Sequence, residues 1–161
     1  MHLNRQRAPL ALRTSSTNDP DQAVALIRRM HPSCEWIQPK GRADFCYRST
    51  TVMLGGVVIS RQATTAFESN LNRVDTAIRA VVVVKGEATA ACGERQSQIN
   101  KQSGLSFLPP EASGSFSDGY AGMSLAVPVD RMTSLLRSMH CYDAPLDFAS
   151  RHWQSTGFSA L

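Results

Sequence analysis

Histidine is scarce in this 161-residue chain: His2, His31, His140 and His152 are all there is, and none lies between residues 32 and 139. A metal centre built on imidazole needs several ligands converging on one ion, so the gap excludes such a centre from the middle of the chain. It also leaves no imidazole there to activate a serine or cysteine, and no Gly-x-Ser-x-Gly elbow occurs. Glycine-rich phosphate loops are absent, which removes the usual support for a nucleotide cofactor. The four cysteines, Cys34, Cys46, Cys92 and Cys141, are spread out with no C-x-x-C pair. That spacing predicts free, structural thiols in a reducing cytoplasm. Long apolar runs are missing too, so no segment is expected to span a membrane. The run Ala8-Pro9-Leu10-Ala11-Leu12 is interrupted by proline and followed by Arg13, short of the roughly 7–15 apolar residues of an export signal.

Charge is sparse, at 19% of residues. The net +4 belongs largely to one end, where Arg5, Arg7 and Arg13 precede any acid. No single element carries a cluster of Lys and Arg, so no nucleic-acid-binding face is expected. What is abundant is apolar, at 42%, in a chain long enough for one domain with a substantial core.

The chain is organised around residues 80–129, which read as short strands separated by glycine turns. Val81-Val82-Val83-Val84 is β-branched throughout and predicts a strand buried on both faces, ended by Gly86. From Glu87 to Cys92 the pattern alternates, with Ala88, Ala90 and Cys92 on one face. Gly93-Glu94 suits a tight hairpin, and the polar return Arg95 to Asn100 suits an edge strand. Leu105-Ser106-Phe107-Leu108 is a further strand, stopped by Pro109-Pro110. Ala121, Met123, Leu125 and Val127 then alternate with Gly122, Ser124 and Ala126. Earlier strands are expected at Trp36-Ile37, at Asp44 to Ser49 with Phe45 and Tyr47 on one face, and at Val57 to Ser60 after the Gly55-Gly56 turn, with Gly41 turning the chain before Asp44. Gln62 to Asp75 reads as a ragged strand followed by a loop.

Two helices flank the strands. Asp19 caps the first, with Pro20 at its first position and Gln22 placed for a capping box, and Ala23, Leu26, Ile27 and Met30 form one apolar stripe before His31-Pro32. Asp130 is expected to cap the second, whose stripe is Met132, Leu135, Leu136 and Met139, and Asp143-Ala144-Pro145 to end it.

This order of strands and turns, with Ser103-Gly104 before Leu105 to Pro110 and Val127-Pro128-Val129-Asp130 leading into a helix, resembles the N-terminal cupin-like jelly-roll domain of AraC-type transcription regulators. Phe45-Cys46-Tyr47-Arg48, Leu54 to Ile59 and Asp143 to Phe148 extend the likeness to roughly residues 15–150. One departure is the Ser103-Gly104 turn, where many such hairpins carry Pro-Gly; the glycine still supplies the difficult dihedral. The resemblance implies a mainly β, cupin-like jelly-roll barrel with one N-terminal helix and one or two C-terminal helices. It divides the chain into a flexible arm (1–15), a sensor domain (16–150) and a tail or start of a linker (151–161). Metal-dependent cupins need histidines that this chain lacks, so no metal and no cofactor are expected.

The resemblance further implies an effector-binding and dimerisation domain with no DNA-reading helix-turn-helix of its own. Its expected partners are a small-molecule effector and a second copy, or a full-length regulator, with neither DNA nor membrane bound directly. Phe45, Tyr47 and Tyr120 are the candidate pocket residues, with Arg48 or Arg61 anchoring an anionic group; Met132, Leu135, Leu136 and Met139 are shared between a dimer interface and packing on the sheet. The alternatives are a stand-alone small-molecule-binding module and a cofactor-free isomerase or epimerase using Tyr47, Tyr120, Lys85 or a glutamate as acid or base. Strand residues that are mostly Val, Ala, Met, Leu and Phe favour binding over catalysis, so no enzyme activity and no catalytic residue are expected.

Overall fold

In the computed structural model, residues 12–29, 32, 34–40, 44–71, 77–108 and 113–139 are described. The expectations at His31, Gly41, Pro109-Pro110 and Asp143 to Phe148, and for the tail 151–161, lie outside them, as does the arm up to residue 11. The described elements are β1 (Leu12–Thr17), α1 (Pro20–Arg28), β2 (Cys34–Pro39), β3 (Tyr47–Leu54), β4 (Val57–Thr64), β5 (Phe67–Leu71), β6 (Ala77–Lys85), β7 (Ala88–Cys92), β8 (Arg95–Ile99), β9 (Leu105–Leu108), β10 (Ser113–Phe116), β11 (Tyr120–Pro128) and α2 (Val129–Ser138).

The strands form two antiparallel sheets, ordered β1-β3-β4-β11-β6-β9 and β2-β5-β10-β7-β8. The hairpin between β7 and β8 turns at Gly93, whose φ of 58° is the positive value a tight turn requires, and β8 is an edge strand as its polarity predicts. Gly104 takes φ 63° behind a short turn in which the Asn100 carboxamide oxygen accepts from the Gln102 N–H. The dihedral that Pro-Gly supplies elsewhere is therefore kept.

Helix α1 joins β1, an edge of the first sheet, to β2, an edge of the second, and packs on both. It closes the gap between those edges with Ala23 and Ile27, the buried part of its predicted stripe. Its cap is Asp19, which accepts from the Asp21 N–H at 2.9 Å. Gln22 does not complete a capping box. Its side-chain oxygen takes the Thr17 hydroxyl at 3.1 Å, and the Asp19 N–H goes to that same hydroxyl at 3.0 Å. Thr17, already fixed at the end of β1, satisfies the cap before Gln22 can reach it.

Several other expectations change. Residues 12–15, assigned to a flexible arm, belong to β1, which pairs with β3 from Leu12↔Val52 to Thr17↔Tyr47. Ser113-Gly114-Ser115-Phe116 carries no strand signal, yet as β10 it pairs with both β5 and β7. The valine run is buried on only one face at its end: Val83 is inside and Val84 is 57% exposed. On β11 the small residues face inward with Tyr120, and Met123 is 47% exposed. A period of two identifies two faces, and with both apolar in composition it leaves open which one is the core. Helix α2 starts at Val129 behind Pro128, so Asp130 sits in its first turn, accepting from the Arg131 N–H, and is not the cap. None of α2's residues is buried.

Candidate ligand-binding interior

The interior between the sheets is built from the inward parity of each strand. On β11 and β4 the register sets Ser124 beside Ser60 and Gly122 beside Gln62. The Ser60 and Ser124 hydroxyls are 2.7 Å apart, and the Gln62 amide donates to both, at 3.0 and 3.3 Å. Across from this polar patch runs a chain of rings. Phe45 meets Phe67 edge-on at 6.3 Å, Phe67 lies 4.6 Å from Phe116, and Phe116 meets Tyr120 edge-on at 4.8 Å. Separations of this kind are the favourable ones for aromatic pairs.

Between rings and patch is a space of about 60 Å³ lined by Gln62, Phe67, Arg79, Phe116, Tyr120 and Ser124, among others. Arg79 is its one cationic lining group. Arg79 shares the parity of Val81 and Val83, so β6 turns it inward, and only 3% of it is exposed. Burial lowers its pKa to about 10, against the opposing effect of the nearby Cys34, and the guanidinium is charged at neutral pH. Burial likewise pushes the Cys34 thiol up, while Arg28 and Arg79 pull it back.

Of the residues singled out in sequence, Phe45, Tyr47 and Tyr120 are buried in this interior, but only Tyr120 lines the space. Tyr47 packs in the core near Ala23, Ile27 and Cys34, with Ser49 as its polar neighbour. Arg48 and Arg61 come together, but in an exposed depression on the outer face of β3 and β4 with Thr14, Ser16 and Thr50, so they anchor nothing inside. The inward cation is Arg79. Its parity with the valine run is the signal that finds it. Met132 and Leu136 are half-buried, and Leu135 and Met139 exposed, on α2. Among the described residues, no three His, Cys, Asp or Glu side chains converge as a metal site would require, and Cys34, Cys46 and Cys92 are free thiols. No helix among the described residues is long and apolar enough to cross a membrane.

No protein-family profile matches the chain, and no curated protein does. Solved structures do match. The AraC-like transcriptional activator CuxR superposes with a TM-score of 0.59 at 17% identity, over 81% of this chain and 52% of that one. The fold is a cupin-like jelly roll. This chain thus spans about half the length of the activator it matches. A cupin 2 conserved barrel domain protein from Rhodopseudomonas palustris, also 17% identical, aligns over 65% of this chain and 85% of its own, with a TM-score of 0.39. In the cupin-like frame, the Arg79 space lies between the two sheets, with Ile27 of α1 as part of its wall.

The two interior phenols give this region a pH signature. Burial pushes Tyr120 up to about 12 and Tyr47 higher than its ordinary value, so the fold holds both neutral. A raised pKa means that their contribution is complete below the unfolded value near 10 and is lost as pH rises through the folded one. The unfolding free energy is expected to fall by about 2–3 kcal/mol for Tyr120 between pH 10 and 12. Urea midpoints across that window check this, and Tyr120→Phe should lessen the fall by about that amount, Tyr47 supplying the rest; a midpoint that does not move from pH 10 to 12 contradicts it.

Proposed function

We propose that this cupin-like domain binds a small molecule bearing an anionic group in the space beside Arg79, and that it serves as the effector-binding and dimerisation domain of an AraC-type regulator. One observation carries the binding reading: a guanidinium buried in an aromatic-walled space next to the Gln62, Ser124 and Tyr120 side chains. A few convergent polar groups in an otherwise apolar lining are the usual make-up of a small-molecule site. About 60 Å³ accommodates only a few non-hydrogen atoms, well below the roughly 300 Å³ of a drug-sized pocket. The expected ligand is therefore a carboxylate of two or three carbons, or a larger one admitted by displacement of α1. Recognition suits the phenols better than proton transfer does, because burial holds both well above neutral pH and leaves them poor bases. In the regulator reading, the exposed Leu135 and Met139 of α2 face a partner subunit.

The test is thermal unfolding of the full chain with acetate, glycolate, pyruvate and lactate, each set against chloride. At least one carboxylate is expected to raise the midpoint in a saturable manner, by the equivalent of about 2.7 kcal/mol at a hundred times its dissociation constant, and to lose this effect in Arg79→Met. No stabilisation by any of the four, or equal stabilisation of the variant, overturns the reading. Sedimentation equilibrium of the same protein tests the dimer, which a monomer at every concentration would refute.

A further inference from the structure

We infer that the groove between α1 and the strands β1 and β3 is a second binding site, separate from the barrel interior, and that it takes the phosphoryl group of a phosphate-bearing small molecule. The register places Arg13 directly beside Thr51 and Ser15 directly beside Ser49. Directly paired residues in a sheet have their Cβ atoms about 5 Å apart, so these four side chains form one patch. Helix α1 overhangs it with Leu26 and Arg29, and the result is a groove of about 140 Å³ lined by Arg13, Ser15, Leu26, Arg29, Ser49, Thr51 and Met53.

The lining has the chemistry of a phosphate site. It offers two guanidinium groups from separate elements and the Ser15 hydroxyl, with Ser49 and Thr51 beside it and no carboxylate in the lining. The strands behind it, β1, β3 and β4, contain no Asp or Glu along their whole length. Neither Arg13 nor Arg29 forms an ion pair among the described residues, whereas their neighbour Arg28 is engaged, donating to the Cys34 and Glu35 carbonyls at 2.7 and 2.8 Å. Guanidinium forks match the oxygens of a phosphate, and hydroxyls fill its remaining acceptor positions. The exposure of Arg13 and Arg29 lets the rest of the ligand lie outside. These charges are far apart in sequence, and the β1–β3 pairing and the α1 connection unite them.

The experiment is calorimetric titration of the full chain at low ionic strength with inorganic phosphate, pyrophosphate, glycerol 3-phosphate and ADP, with acetate as the carboxylate control. At least one phosphate compound is expected to bind one-to-one and more tightly than acetate. Binding of inorganic phosphate alone marks a free-anion site. Tighter binding of glycerol 3-phosphate or ADP identifies an ester or a nucleotide as the source of the phosphoryl group. Arg13→Gln and Arg29→Gln should each weaken binding about tenfold to a hundredfold, while Arg79→Met leaves it unchanged. Arg13→Lys, which keeps the charge and loses the fork, should weaken it less than Arg13→Gln. The inference is overturned if no phosphate compound binds, or if binding survives both glutamine variants and is lost instead on replacing Arg48 and Arg61 at the outer face. It is overturned equally if Arg79→Met alone abolishes binding, which would make the barrel interior the phosphate site.

Discussion

Replacing Phe67 by alanine is expected to lower the unfolding free energy by about 3–5 kcal/mol. Phe67 is 2% exposed and stands between Phe45 and Phe116 in the row of rings that crosses the interior. Removing it breaks two ring contacts and leaves a hole that backbone on either side cannot fill, because β5 is pinned by β2 and β10. In thermal unfolding the midpoint should drop by roughly 10 °C or more. Phe67→Leu keeps much of the volume and should cost less than half as much. If Phe67→Ala shifts the midpoint by less than about 2 °C, the ring row is not a structural element of the core.

The second large effect is expected at Gly122. It faces the interior beneath Tyr120, and a Cβ built there would run into the Tyr120 phenol and stand 2.9 Å from the Val82 carbonyl oxygen. The phenol can swing away, but the carbonyl is fixed by the pairing of β11 with β6. Gly122→Ala therefore costs about 1–3 kcal/mol by overpacking and pushes Tyr120 off Phe116, opening or collapsing the Arg79 space. The two sites are coupled, so the penalties should not add. In a Tyr120→Ala background, the Gly122→Ala penalty is expected to shrink to the part owed to the Val82 carbonyl, read as urea midpoints in a double-mutant cycle. Strict additivity would mean that the phenol does not need the glycine beneath it.

Much of the fold is legible because glycine and parity are strong local signals. Gly86, Gly93 and Gly104 all take positive φ where the sequence places turns. The inward set Ala88 and Ala90 on β7, and the buried pair Phe45 and Tyr47 leading into β3, follow from simple alternation. Alternation on β11 identifies two faces without saying which is the core, because Gly122, Ser124 and Ala126 give no stronger hint of burial than of exposure. Neither β1 nor β10 is legible. Both are polar, and both exist because neighbouring strands offer an unpaired edge or a slot, which is tertiary information. The site divides in the same way. Tyr120 is readable as a half-polar ring on a strong strand. Arg79 hides behind its neighbours, a charge that reads as the outer end of a strand until the parity of Val81 and Val83 is extended two residues back. The arginines that meet at Arg13 and Arg29, or at Arg48 and Arg61, lie on different elements, so no single element's periodicity brings them together.

The position of β11 has a consequence for how this chain is made. It is the last of the described strands in sequence, yet it lies between β4 and β6 in the middle of its sheet. While the chain is being synthesised, β4 and the valine-rich β6 have no strand between them until residue 128 has emerged. A nascent chain stalled or cut before Tyr120 would hold two unpaired apolar borders, the arrangement most open to joining another chain. Completion of the six-stranded sheet is thus deferred to β11, and chaperone dependence should concentrate in the interval just before that strand leaves the ribosome.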